Sequence, residues 1–350
     1  MTGRILVARL DNLGDVLLAG PCVRAVASTA SSVVMLVGPR GRAAAELLPG
    51  VDEIVSWCAP WIDPEPEPVT PSVIDDLVRR VRALRVDAAL ILTSFHQSPL
   101  PLALALRMAG VPWIGAISED YPGSLLDLRH RVDGDPPEAL RGLSLAAAAG
   151  YRLPRHDWHP RVRRPLPDVQ RLVGKPGYVV LHPAASAAAR QPSAATSAAI
   201  VRAVTAAGYR VVVTGGPGET ALTNAITDGI ATDLGGKTSL PQLAAVLDNA
   251  AAVVAPNTSA AHLATAVGTP VVSLFAPVVL AGRWAPYGSD CVLLGDQSAP
   301  CRSSRARTCP VPGHPCLDSL DPDQVVGAIA QFAPGHSPEE VDRDDECLAG

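Results

Sequence analysis

The feature that most constrains the fold of this chain is a repeated alternation between short β-branched apolar runs and longer stretches rich in Ala, Leu and Arg. Such an alternation is typical of βαβ units, in which helices connect parallel strands. One break in the pattern divides it into two series of similar size. The sequence therefore predicts an α/β protein with two doubly wound, Rossmann-like domains.

The first series predicts five strands and five helices. Val73, Leu77, Val81 and Leu84 recur at helical spacing, which gives one helix an apolar face and a polar face. The strands are expected at 4–10, 32–37, 53–57, 88–92 and 113–117, and the helices at 15–28, 42–48, 73–84, 100–108 and 137–149.

The second series has the same character. Its strands are expected at 178–182, 210–214, 252–255, 271–275 and 291–294, and its helices at 194–207, 219–230, 240–249, 259–267 and 323–332. Between the two series, residues 152–176 are rich in proline and arginine and show no period, which predicts a linker. The expected domains are therefore 1–151 and 177–333, followed by an acidic, disordered tail at 334–350.

Charge and composition exclude several classes of protein. The chain has 29 Lys and Arg against 34 Asp and Glu, so its formal charge of -5 argues against a nucleic-acid partner. No apolar run reaches the roughly 18 residues that span a bilayer, and the first residues are typical of a strand rather than a secretory signal. The 7 cysteines are scattered and odd in number, which argues against a disulfide framework. We expect a cytoplasmic protein, with at most peripheral contact with the inner face of the membrane.

Two such domains joined by one linker are expected to face a central cleft, because ligands of doubly wound sheets bind at the carboxyl ends of the strands. In the first half, Asp15 follows the first strand. Two interpretations are open: it caps the next helix, or it is a general base that the helix N-terminus keeps ionised.

In the second half, three loops that follow strands have the composition of an anion site. Glycines let backbone N–H groups approach a ligand, and helix starts provide unpaired N–H groups for a pyrophosphate. A carboxylate beyond the glycines can bind ribose hydroxyls. Neither the dinucleotide fingerprint nor the P-loop pattern is present, which disfavours nicotinamide enzymes and P-loop NTPases. The loops contribute His182 and Ser186; Gly215, Gly216 and Glu219; and Asn257, Thr258, Ser259 and His262.

Other candidates have two interpretations each. His96 and Gln97 either bind acceptor hydroxyls or are ordinary loop residues, and His182 either contacts phosphate or is a satisfied histidine at a strand end. Trp57 and Trp61 either stack on a ligand or pack beneath the proline-rich loop. A zinc site is the alternative to idle thiols for the late group, although its spacing lacks the usual two-residue knuckle. That group is Cys301, Cys309, His314 and Cys316.

Several motifs, taken in order, resemble the heptosyltransferases of glycosyltransferase family 9. The resemblance extends from about residue 4 to residue 332. It rests on Arg9–Asp15 with Pro21, the loops named above, Gly236–Leu240, Gly282–Gly288 and the segment from Cys309 to Gln324.

The resemblance implies a GT-B fold and an inverting transfer of a heptose-like sugar from a nucleoside diphosphate donor, typically ADP-linked, to an acceptor hydroxyl. Domain 1–151 would bind the acceptor and domain 177–333 the donor. Asp15 matches the catalytic base, Glu219 the ribose-binding residue, and Thr258, Ser259 and His262 the pyrophosphate loop. The resemblance implies neither a metal nor a cofactor.

Further residues are expected to bind the donor phosphate and the acceptor. Arg190 keeps the basic residue expected near the donor phosphate, and Asn12, His96 and Gln97 are the acceptor-binding candidates. The acceptor is expected to be a glycan, a glycolipid or a small molecule. The chain departs from the family at Asn257, where an aspartate is usual, and in lacking a basic cluster in its N-terminal region. A nucleotide-sugar epimerase or hydrolase, or a non-catalytic sugar-nucleotide binding protein, are the alternatives.

Overall fold

The computed structural model describes residues 2–333 and divides the chain into two compact units, Met1–Pro165 and Leu166–Gly350. The division falls within the proline-rich segment 152–176. The predicted disordered tail at 334–350 lies outside the described residues.

The first unit contains a six-stranded parallel sheet with the strand order β3-β2-β1-β4-β5-β6. The strands are β1 Arg4–Arg9, β2 Ser32–Val37, β3 Glu53–Ser56, β4 Ala88–Leu92, β5 Trp113–Ile117 and β6 Leu128–His130. The helices are α1 Leu13–Leu18, α2 Gly20–Ala27, α3 Arg42–Leu47, α4 Pro71–Leu84, α5 Leu100–Met108 and α6 Glu138–Ala148.

The second unit repeats this topology with the order β12-β11-β10-β7-β8-β9, again parallel throughout. When the second sheet is read from β9 and the first from β3, both have the Rossmann order. In this order the chain starts at the centre, moves to one edge and then crosses to the other side. The strands are β7 Tyr178–Leu181, β8 Val211–Gly215, β9 Thr232–Gly235, β10 Ala250–Pro256, β11 Val271–Leu274 and β12 Cys291–Leu294. The helices are α7 Gln170–Val173, α8 Ala194–Ala206, α9 Thr220–Thr227, α10 Leu240–Asp248, α11 Ser259–Val267, α12 Ala281–Trp284, α13 Pro315–Asp318 and α14 Pro322–Ala330.

The central strands are apolar along their whole length because helices cover both faces of each sheet. Ile5, Leu6, Val7 and Ala8 of β1 are all 0% exposed. The same burial holds for most of β2, β4, β7, β10 and β11. The ends of these strands are where polar side chains begin, so the carboxyl edge of each sheet is the place for a site. This architecture confirms the predicted α/β class with two Rossmann-like halves.

One predicted element was wrong, and several elements of the structure were not expected. The helix expected at 15–28 is two helices, α1 and α2, because Pro21 has no N–H to donate into a continuous helix and stands instead in the first turn of α2. Strands β6 and β9 were not expected. Each forms the outermost strand of its sheet.

The two tryptophans at the end of β3 belong to the core. Trp57 is 6% exposed, and its ring centroid lies 5.4 Å from that of Trp61, which packs against the same cluster. The packing interpretation is therefore the one that the structure supports. Over residues 2–333, no helix combines the length and apolar character that crossing a bilayer would require.

Candidate active site

Asp15 lies in the first turn of α1, at the carboxyl end of β1. The residue in the N-cap position is Asn12, whose exposed side chain makes no capping hydrogen bond. The Asp15 carboxylate instead accepts a hydrogen bond from Arg9, with 2.9 Å between Oδ1 and Nη2. Its side chain remains 16% exposed, so the carboxylate is held firmly but stays accessible.

Arg9, the last residue of β1, is the centre of this arrangement. Its side chain is 3% exposed and forms ion pairs with Asp11 at 2.8 Å, Asp15 at 2.9 Å and Glu138 at 2.8 Å. It also donates to Ser94 Oγ at 3.0 Å. We call Arg9, Asp11, Asp15, Ser94 and Glu138 the Arg9 cluster.

The charges of the Arg9 cluster stabilise one another. Burial opposes the charge on Arg9, but Asp11, Glu138 and Asp15 outweigh it and raise the pKa of the guanidinium above its usual value. Burial raises the pKa of the Asp11 carboxyl, and Arg9 only partly offsets this effect. Arg9 thus remains a cation and fixes the direction of the Asp15 carboxylate.

The loop after β4 completes the surroundings of Asp11. Gln97 donates to Asp11 Oδ1 at 2.5 Å and accepts from the Ser94 N–H at 3.0 Å. The exposed His96 interacts electrostatically with Asp11. Asp15, His96 and Gln97 therefore lie around one carboxyl edge, and Asn12 lies at the start of the adjacent helix.

Glu138 also binds a second arginine. Arg141 Nη1 lies 3.3 Å from Glu138 Oε1 and donates to the Thr93 carbonyl oxygen at 2.6 Å. With Arg141 included, three carboxylates face two guanidinium groups. The site around Asp15 therefore carries a net charge of one negative when all groups are ionised.

In the second unit, His182 follows β7 and is 8% exposed. Its Nδ1 lies 3.1 Å from Thr214 Oγ1 at the neighbouring strand end. Burial lowers the pKa of His182, an effect that the nearby Glu219 opposes. A neutral imidazole beside Glu219 can donate or accept a hydrogen bond without adding charge.

Glu219 closes the turn that follows β8. Its Oε2 accepts from the Gly216 N–H at 2.6 Å, which draws the carboxylate back over the glycines. A Cβ on Gly215 would lie 2.8 Å from Thr223 Cγ2, so the turn has no room for a larger residue. The sequence places Glu219 in a glycine turn, and the structure shows its carboxylate already oriented there.

The third loop leads from β10 into α11. Thr258 is the N-cap residue of this helix and provides no side-chain cap, and both Thr258 and Ser259 are partly exposed. Asn257 is 3% exposed and His262 4%. Burial and the charge of Arg190 lower the pKa of His262 to about 4. Among residues 2–333, no partner is found for His262 Nδ1.

Arg190 connects two of these loops electrostatically. It donates to Ser186 Oγ at 2.9 Å and lies close enough to influence His262. Arg307 reaches the same segment, since its backbone carbonyl accepts from the Ala189 N–H at 2.9 Å. Two arginines and the start of α11 thus surround a common region of the second unit, a chemistry that suits an anion.

The late cysteines pack in or against the second core. Cys301 and Cys316 are each 3% exposed in the second core, and the Cys309 thiol donates to the Val311 carbonyl oxygen at 3.4 Å. His314 Nε2 lies 3.2 Å from the Ala189 carbonyl oxygen. Within the described part of the chain, no group of three or more His, Cys, Asp or Glu is arranged to hold a metal ion.

Arg9, Ser94, Glu138 and Arg141 are site residues that sequence reasoning missed as functional. Arg9 and Glu138 are 129 positions apart, so no local pattern joins them. One signal was available: Arg9 directly follows the apolar residues 5–8 of β1, and a buried arginine requires carboxylate partners.

Solved structures define the class of fold. The chain is similar to the ADP-heptose lipopolysaccharide heptosyltransferase II of E. coli, with a TM-score of 0.73 at 18% identity, covering 94% of this chain and 98% of that one. It is also similar to the E. coli heptosyltransferase WaaC solved with ADP, with a TM-score of 0.70 at 17% identity, covering 94% and 100%. These likenesses confirm the predicted GT-B fold.

The sequence defines the family. Residues 74–314 match the family model of glycosyltransferase family 9 (heptosyltransferase), so the chain belongs to that family. A lipopolysaccharide heptosyltransferase 3 of Escherichia coli is 33% identical over 200 residues, which is 55% of this chain and 56% of that protein. The matched part thus spans little more than half of this curated relative.

Proposed function

We propose that this protein is an inverting glycosyltransferase that moves a heptose-like sugar from an ADP-linked donor to an acceptor hydroxyl. The observation that carries the proposal is the accessible Asp15 carboxylate, held by Arg9 at the carboxyl end of β1 in a chain of family 9. An ADP-heptose donor is supported by the names of the structural relatives, one of which is solved with ADP.

Asp15 is proposed as the general base. As the acceptor oxygen attacks the anomeric carbon, its proton passes to the Asp15 carboxylate and the bond from that carbon to the diphosphate breaks. A positioned base of this kind contributes about 100- to 10,000-fold to the rate. Attack from the face opposite the leaving group inverts the anomeric configuration.

The loops of the second unit are proposed to bind the donor. Glu219 would bind the ribose hydroxyls, while the start of α11 and Arg190 would receive the negative charge that develops on the departing diphosphate. Neutral His182 and His262 would add hydrogen bonds to phosphate oxygens. The charge of the leaving group is thus met by groups of the chain itself, and we propose that transfer needs no metal.

The acceptor is proposed to be a glycan, a glycolipid or a small glycoside. A glycolipid acceptor would bring the protein to the inner face of the membrane as a peripheral partner. Asn12, His96 and Gln97 are the proposed contacts for acceptor hydroxyls, since all three lie at the same sheet edge as Asp15.

A thermal-shift screen of the full chain against ADP, UDP, GDP and ADP-heptose tests the donor. A ligand at a hundred times its dissociation constant stabilises by about 2.7 kcal/mol, and we expect this for the adenosine compounds alone. Incubation with ADP-heptose then tests the reaction class. Acceptor-dependent ADP release and an inverted anomeric signal by NMR support a transferase, whereas rapid conversion of the donor alone would indicate an epimerase or hydrolase.

A further inference from the structure

The loops after the six strands of the first unit carry an excess of negative charge. They contain ten Asp or Glu and four Arg, an excess of six carboxylates. Because carboxyl ends of parallel strands lie at one edge of a sheet, these charges share the edge that carries Asp15. The loops are residues 9–15, 38–42, 57–70, 93–99, 118–121 and 131–138.

Three of the four arginines at this edge are bound to carboxylates. Arg9 has three such partners in its cluster. Arg40 lies 3.5 Å from Asp63, and Arg42 forms an ion pair with Glu46 at 3.1 Å. An incoming phosphate or carboxylate would have to displace these carboxylates before it could pair with any of the three arginines.

The groups beside Asp15 that are suited to a hydroxyl ligand are two amides and an imidazole. Gln97 has an amide, Asn12 has an exposed amide, and His96 has an exposed imidazole. A general base must lie about 2.6–3.2 Å from the hydroxyl it deprotonates, so the acceptor ring must sit among these groups. Amides and imidazoles recognise hydroxyls by donating and accepting hydrogen bonds.

We propose that the acceptor presents an uncharged sugar to Asp15, without a phosphate or carboxylate on the reacting ring. This inference rests on the proposed function, because it takes Asp15 as the base that contacts the acceptor. The excess carboxylates repel a like charge even though solvent partly screens them. An anionic ring is therefore expected to bind about tenfold more weakly than its neutral counterpart. The charge pattern thus selects against phosphorylated sugars.

A matched pair of probes tests this proposal: methyl α-D-mannopyranoside and its 6-phosphate. Each is titrated into the ADP-bound full chain and followed by saturation-transfer NMR. We expect the neutral glycoside to bind about tenfold more tightly. Equal or tighter binding of the 6-phosphate overturns the proposal, and so does failure of both probes to bind at millimolar concentration.

Charge variants show whether the edge causes the preference. The double variant Glu119→Gln and Asp120→Asn removes two exposed carboxylates from the loop after β5, and the asparagine keeps an oxygen that can accept from Ser98. We expect it to reduce the preference about two- to fivefold. Glu53→Gln is the control, because it removes an exposed charge from the opposite edge, at the start of β3. A double variant that behaves like the control contradicts the proposal.

A measurement of ADP binding distinguishes failure of the proposed function from failure of the inference about the acceptor. If calorimetry shows no binding of ADP to the wild-type chain, the proposed function fails. If ADP binds and the 6-phosphate is preferred, only the inference about the acceptor fails.

Discussion

The two sheets have the same strand order and opposite charge at their carboxyl edges. The loops of the first unit hold ten carboxylates and four arginines, whereas those of the second hold six Lys or Arg and two Asp or Glu. The second set is residues 182–193, 216–220, 236–239, 257–259, 275–283 and 295–314. The shared topology places the loops of each sheet at one edge, and the residues of the loops determine the charge of that edge.

The edges also differ in how they treat buried polar groups. The first buries a charged arginine and satisfies it with three carboxylates. The second buries two histidines whose pKa values are lowered, so that both are neutral at pH 7. A fixed ion cluster suits the orientation of a base, while neutral histidines leave the positive charge of the second edge to its arginines.

The largest effect on stability is expected when the cation of the Arg9 cluster is removed. Arg9→Met leaves Asp11 and Glu138 buried without their cation, which should lower the free energy of unfolding by about 3–5 kcal/mol. Urea unfolding measures this loss. Arg42→Met is the control, because its pair with Glu46 is half exposed and should contribute about 0.5 kcal/mol or less. Similar results for the two variants would show that the cluster is not a stabilising unit.

A smaller, pH-dependent effect is expected from His262. Its pKa is about 4 in the folded chain and near 6.5 when unfolded, so the unfolded state binds more protons between these values. Stability is therefore unaffected by His262 above pH 6.5 and falls as the pH drops toward 4, by on the order of 3 kcal/mol.

Comparison with His262→Gln isolates this contribution, since other titrating groups are common to both proteins. We expect the wild type to lose more stability than the variant between pH 6.5 and 4 in urea unfolding experiments. Parallel pH profiles for the two proteins would contradict a lowered pKa at His262.

The basic edge is tested directly by Arg190→Gln. Loss of one charge-assisted contact should weaken ADP binding about tenfold, and the dependence of binding on salt should become shallower. Calorimetry at two salt concentrations measures both effects. Arg79→Gln, on the exposed face of α4, is the control and should leave ADP binding unchanged. An unaltered affinity in Arg190→Gln would remove this residue from the donor site.

The smallest effect is expected from glycine substitutions in the second unit that change stability but not ADP binding. Gly327 lies within α14, and a Cβ there would meet no atom within 4 Å. Gly327→Ala should therefore stabilise the chain by about 0.5–1 kcal/mol without changing ADP affinity. Gly268→Ala should instead destabilise the chain, because φ at Gly268 is +92°. Thermal unfolding that shows the same sign for both variants contradicts this interpretation.

The sequence revealed the central strands because their burial on both faces makes them continuously apolar. It did not reveal β6 and β9, which are short outer strands with polar residues such as Arg129 and Asp233. Their polar residues interrupt any apolar run, whereas the outer strands β3 and β12 could be predicted because they keep Ile54–Val55 and Val292–Leu294.

Some residues of the candidate site could be predicted from the sequence and others could not. Asp15 and Glu219 could be proposed from the sequence because each comes shortly after a predicted strand, where local sequence and chemistry coincide. Arg9 and Glu138 could not, because their contact depends on how α6 packs near the end of β1. Ion pairs between distant segments leave no periodic trace in the sequence.

The most direct test of the account is the Asp15→Asn variant, measured for both transfer and ADP binding. With ADP-heptose and the uncharged glycoside, transfer should fall about 100- to 10,000-fold, because an amide cannot accept the acceptor proton. ADP affinity should equal that of wild type, and Glu53→Gln should retain both properties. Transfer by Asp15→Asn at the wild-type rate would contradict the role of Asp15 as the base.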